Sequence, residues 1–120
     1  MSSQPHIERV KVESIGDVTV ASVIDRKILS EQNIQILGEQ LLDLVNESDS
    51  KKLLLNFHNV EYMSSAVLGM LVTLNKKVKA VRGKLILCSI DPKIREVFAI
   101  TNLDKVFVIR DDEQESLQAF

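Results

Sequence analysis

Residues 51–57 read KKLLLNF and residues 64–89 read SSAVLGMLVTLNKKVKAVRGKLILCS. A strand with one wet face alternates apolar and polar residues. The unbroken run in Lys51 to Phe57 instead predicts a strand covered on both faces, as in a parallel sheet. In the second stretch Val67, Leu71, Leu74, Val78 and Val81 recur at three- and four-residue spacing, which predicts a helix from Ser64 to Arg82. Lys76, Lys77, Lys79 and Arg82 fall in its C-terminal half, where cations suit the negative end of the helix dipole. Gly83 is placed to end the helix in a left-handed conformation. Lys84 to Ser89, KLILCS, reads as another strand. Strand, helix, strand implies a parallel pair with a right-handed crossover.

The pattern continues in both directions. Upstream, Ile7 to Val12 alternates and predicts an edge strand; Gly16-Asp17 marks a turn. Val18 to Ile24 is rich in β-branched residues and completes a hairpin. Ser30 is a candidate helix N-cap with Glu31 in the first turn. Behind it Ile34, Leu37, Leu41, Leu44 and Val45 form an amphipathic stripe. Downstream, Asp91-Pro92 is a cap followed by proline at the first helical position, with Ile94, Val97 and Phe98 as a short stripe. Val106 to Ile109 predicts a last strand, and Asp112 with Glu115 resembles a capping box for a terminal helix. The expected fold is therefore α/β, one domain over residues 1–120 with residues 1–5 as a frayed tail. It has a mixed, mostly parallel sheet of about five strands and about four helices.

Composition bounds the function. The chain has 120 residues, 45% hydrophobic and 27% charged, enough to bury a core unaided. A net charge of -2 argues against strong global attraction to nucleic acid. The stretch from Ala66 to Leu74 falls far short of the roughly 20 apolar residues that span a bilayer. The polar Met1 to Arg9 has no signal-peptide character. A cytoplasmic protein acting away from membranes and nucleic acid is expected.

Little in the chain suggests catalysis. The glycines at 16, 38, 69 and 83 match neither of the common phosphate-cradling patterns. His6 and His58 lack a second histidine at ligand spacing. Cys88, the one cysteine, sits in an apolar strand and reads as a core residue; no multi-cysteine metal site can form. The acids from Asp111 to Glu115 read as a solvated helix start. No cofactor and no metal are expected. Ser64-Ser65 differs, because it lies where a buried strand has ended and a helix begins. That is the carboxyl edge of a parallel sheet, where ligands and partners meet such folds. Ser64 is the expected cap. Ser65 would then sit in the first turn with its hydroxyl free, where a phosphate faces free amides and the positive end of the dipole. A hydrolase nucleophile would need a G-x-S-x-G turn, which is absent.

Three stretches together resemble the STAS domain family, and more closely its free-standing bacterial anti-sigma-factor antagonists. Tyr62-Met63-Ser64-Ser65-Ala66-Val67-Leu68-Gly69 is similar to the family's phosphorylation motif. Gly83 to Cys88, then Pro92, Arg95, Val97 and Phe98, then Leu103 to Phe107, is similar to its C-terminal half. Ile24-Asp25 matches the Leu-Asp pair after its second strand. Ser64 stands where many members have Asp, Val67 where Gly is usual, and Ser22 where Gly is frequent. Gly permits close backbone approach by a partner, and Val67 is expected to fill that space.

The resemblance implies a binding module, not an enzyme. Such antagonists regulate transcription by binding an anti-sigma factor that is also a serine/threonine kinase. Phosphorylation of the serine at the helix start, here Ser65, breaks the complex, and a PP2C-like phosphatase resets it. Asp25, Ser64, Ser65 and Val67 are the residues expected at the partner. Two other readings stay open: an unswitched STAS scaffold or interaction subunit of a signalling complex, and a sensor for a small molecule or nucleotide.

Overall fold

The computed structural model describes residues 8–47 and 51–120; the expected tail, His6 and the start of the first expected strand at Ile7 lie outside them. The first hairpin joins β1 (Val10–Ile15) to β2 (Val18–Val23). Gly16 takes φ 61 in the two-residue turn between them, a conformation glycine adopts without steric cost. A two-residue strand β3 (Lys27–Ile28) precedes α1 (Glu31–Glu47). Then come β4 (Lys52–Asn56), a second two-residue strand β5 (Tyr62–Met63), and α2 (Ser65–Ala80). The chain continues through β6 (Lys84–Cys88), α3 (Pro92–Ile100), a single 3-10 turn (Leu103–Lys105), β7 (Val108–Arg110) and α4 (Glu113–Gln118).

Five strands form one sheet in the order β1-β2-β4-β6-β7. The β1–β2 pair is antiparallel and the other three are parallel. The unbroken apolar run in β4 has the expected cause. Leu53 and Leu55, with Phe57 just beyond, pack toward α1, α2 and α3. Leu54 faces the other way, with Val18, Val20, Ile86 and Cys88, and α4 with the C-terminal Phe120 covers that side. Each fully buried aliphatic side chain contributes about 1.5–3 kcal/mol relative to exposure, so both faces drive folding.

The helix caps behave largely as local chemistry dictates. Asn33 N–H donates to Ser30 Oγ at 3.1 Å, Lys93 N–H to Asp91 Oδ1 at 2.9 Å, and Glu115 N–H to Asp112 Oδ1 at 2.8 Å. The end of α2 departs from expectation. Arg82, not Gly83, takes the left-handed conformation, at φ 59. Arg82 N–H bonds Lys79 C=O at 2.9 Å and Gly83 N–H bonds Val78 C=O at 2.8 Å, the paired closure of a Schellman motif. Gly83 is needed for space instead: a Cβ there would lie 2.6 Å from the Lys51 carbonyl oxygen. The last strand also begins later than its apolar pattern suggests, because the N–H groups of Val106 and Phe107 still bond back to Leu103 C=O, at 2.9 and 3.1 Å, after the 3-10 turn.

Cys88 is fully buried, and burial pushes its thiol pKa up. Thiolate is the reactive form. The native chain is therefore expected to react with a disulfide reagent more than about a hundredfold slower than the urea-unfolded chain. Equal rates at neutral pH would contradict this placement.

Candidate functional site

The two short strands that sequence periodicity does not reveal build the site. β3 and β5 pair in parallel, with Lys27 opposite Tyr62 and Ile28 opposite Met63. Glu61 and Tyr62 both donate N–H groups to the Arg26 carbonyl, and Ser64 N–H donates to Ile28 C=O at 3.0 Å. These bonds join the loop carrying Asp25 to the segment carrying Ser64 and Ser65. They also fix where α2 starts. Ser64 is extended, with φ -77 and ψ 163, and its carbonyl accepts from Val67 N–H at 3.0 Å.

The two serines differ sharply. Ser64 Oγ is buried and has no hydrogen-bond partner, and it makes no cap bond. The expected side-chain cap is therefore absent: the backbone carbonyl closes the first turn while the hydroxyl points inward. Ser65 is the first residue of α2 and is exposed. Amides in a helix's first turn lack intrahelical partners, and the dipole there favours an anion.

Ser65 lines one cleft, and the next residue, Ala66, lines a second. One, of about 380 Å³, has Glu61, Tyr62, Met63, Ser64, Ser65 and Leu68 on one wall and Lys93, Ile94 and Val97 of α3 on the other. The second, of about 550 Å³, lies between α1 and α2 and begins one residue further on, at Ala66. Tyr62 is 54% exposed, with Lys27 Nζ 5.7 Å from its ring centroid. Beside it Arg26 Nη2 donates to Glu61 at 2.8 Å, and that bond raises the guanidinium's pKa.

Asp25 is held from within. Arg9 Nη1 lies 2.9 Å from Asp25 Oδ1, with both side chains 18% exposed. Arg9 Nη2 donates to Asn33 Oδ1 at 2.7 Å, and Arg9 N–H to Gln40 Oε1 at 2.7 Å. Through Arg9, the residue before β1, the Asp25 loop is thus tied to α1, with little carboxylate surface left over. Val67 corrects an expectation. Its side chain is fully buried in the core, so it fills interior space beneath α2 and none that a partner would approach. Val97 is corrected in the opposite sense. Ile94 and Phe98 are the buried members of the α3 stripe, while Val97 is 42% exposed at the cleft.

Sequence patterning does not point to Arg9, nor to Lys93, Ile94 and Val97 as the far wall of the first cleft. The only available signal was Val97 itself, an apolar residue whose helical position also allowed a core role. Among the described residues no group of three or more His, Cys, Asp or Glu could hold a metal ion. No helix among them is long and apolar enough to cross a membrane.

A family model described as the STAS domain matches residues 9–116. The chain belongs to the STAS domain family. This STAS domain is 27% identical over 112 residues to BtrV of Bordetella bronchiseptica, named as a candidate anti-sigma factor antagonist; the match covers 93% of this chain and 94% of BtrV. A Thermotoga neapolitana protein named in the same way is 30% identical over 104 residues, covering 87% of this chain and 90% of its own. A solved anti-sigma-factor antagonist (STAS) domain protein from Planctomyces limnophilus superposes with TM-score 0.82 at 25% identity, covering 92% of this STAS domain and 96% of that chain.

Proposed function

We infer that this STAS domain is an anti-sigma-factor antagonist. It binds an anti-sigma factor that is also a serine/threonine kinase, and phosphorylation of Ser65 releases it. The observation that carries this reading is the contrast between the serines: Ser65 is exposed at the start of α2 and lines a cleft, whereas Ser64 Oγ is enclosed. A kinase can reach only the first without local unfolding. Transfer moves the terminal phosphoryl group of ATP to Ser65 Oγ; ADP leaves and the hydroxyl proton is released. A PP2C-like phosphatase would hydrolyse the ester and restore binding. In this reading the partner covers Ser65 and the exposed ring of Tyr62, and Ser64 contributes backbone. Asp25 holds the adjoining loop in place, and Val67 acts only by packing beneath α2. The chain supplies a surface and no catalytic group, and it acts in the cytoplasm.

Labelling tests this directly. Wild type and Ser64→Ala are expected to take up one phosphate each from the cognate kinase and ATP, read by intact mass. Ser65→Ala is expected to take up none. Equal labelling of Ser65→Ala and wild type would refute the assignment. No labelling of any form would favour an unswitched scaffold.

A further inference from the structure

We propose that β1 is an edge through which two copies of this chain join, antiparallel and two-fold symmetric about Val12. β1 ends the five-stranded order and has β2 as its one neighbour among the described residues. Ile24 N–H donates to Arg9 C=O at 2.9 Å, which marks that pair as hydrogen-bonded and sets the alternation along the ladder. With Lys11 opposite Ser22, Glu13 opposite Val20 and Ile15 opposite Val18, these odd-numbered residues direct their backbone groups to β2. Val10, Val12 and Ser14 direct theirs outward. Every residue of β1 after Val10 is exposed, Val12 at 45%. Such an edge is a template for another strand.

The charges select the occupant. Proteins commonly guard an edge with charge that repels a copy of itself. Here Lys11 and Glu13 flank Val12 on one face of the strand, and their order is self-complementary. Pairing through the outward residues with Val12 opposite its symmetry mate sets each Lys11 against Glu13 of the second copy. Both pairs fall at non-hydrogen-bonded positions, where cross-strand side chains come closest. Sliding the register by one repeat in one direction sets Lys11 against Lys11, and in the other Glu13 against Glu13. The first slide also brings Glu13 opposite Arg9, but Arg9 is already held by Asp25 and Asn33. An isologous interface must match itself, and the central register does so. The surface joined is one short strand, so association is weak and grows with concentration. None of these residues lines the clefts beside Ser65, and this inference stands apart from the proposed switch.

Sedimentation equilibrium of the full chain over a rising concentration series tests it. Wild type is expected to move from monomer toward dimer. Lys11→Glu and Glu13→Lys each oppose like charges twice and are expected to weaken self-association about tenfold. An equimolar mixture of the two variants is expected to recover dimer, because every cross-strand pair is then opposite in sign. Circular dichroism melts would show that both variants remain folded. A wild type that stays monomeric at millimolar concentration would overturn the proposal. So would a dimer indifferent to either reversal, or a mixture that associates no better than its components.

Discussion

Ser65→Asp is expected to weaken binding to the anti-sigma partner about thirty-fold or more while leaving the domain folded. The two effects have opposite signs because they arise in different environments. In the free chain Ser65 is exposed at the first position of α2, where a carboxylate interacts favourably with the helix dipole by about 0.3–1 kcal/mol. In a complex the same charge must lose water, and Glu61 in that cleft is already paired with Arg26. An unpaired charge desolvated at an interface costs about 2–5 kcal/mol, which is about thirty-fold or more in Kd. Ser65→Ala adds no charge and should retain most of the affinity. Calorimetric titration measures the binding and circular dichroism melts the fold. Equal affinities for the two variants would remove the electrostatic basis of the switch. A melt far below wild type would mean that Ser65 is not free.

Phe98→Ala is expected to destabilise the domain by about 3–5 kcal/mol, out of a total of about 5–15 kcal/mol. Phe98 is fully buried, and its ring meets Phe107 edge-on at 5.8 Å between centroids. That contact seats α3 against the 3-10 turn and the last strand, and α3 supplies Lys93, Ile94 and Val97 to the cleft. The substitution should therefore lower partner affinity as well as the urea midpoint. A loss below about 1 kcal/mol would mean that α3 is not anchored through this ring.

Where one residue type in one local setting decides the structure, the sequence was readable. The Leu53 to Leu55 run announced a strand covered on both sides, and Asp91-Pro92 and Asp112 announced helix starts that their side chains do cap. Ser65 was identified at the head of α2 for the same reason: strand end, serine pair and helical stripe are contiguous. What was hidden depends on meetings between distant segments. β3 and β5 have two residues each, too few for any period, and exist because Lys27 and Ile28 meet Tyr62 and Met63. Arg9 read as part of a strand, and nothing local shows that it anchors Asp25. From sequence alone Gly83 reads as a helix terminator, because glycine so often ends a helix. Its actual constraint is the Lys51 carbonyl, which belongs to another strand. Helical spacing places Val67 and Val97 on apolar stripes and holds for Val67, which is buried, while Val97 is left exposed because only packing decides which stripe member is covered. The expectation that Val67 meets a partner came from the family resemblance and not from its spacing.

Calorimetric titration of a single preparation before and after stoichiometric phosphorylation at Ser65 probes the central claim most directly. The titrant is the anti-sigma factor captured by the unphosphorylated chain. A phosphate carries close to twice the charge of an aspartate, so its effect should exceed that of Ser65→Asp. The account predicts tight binding before phosphorylation, a loss beyond about thirty-fold after it, and full recovery once a PP2C-type phosphatase removes the group. Unchanged affinity across that cycle would contradict it.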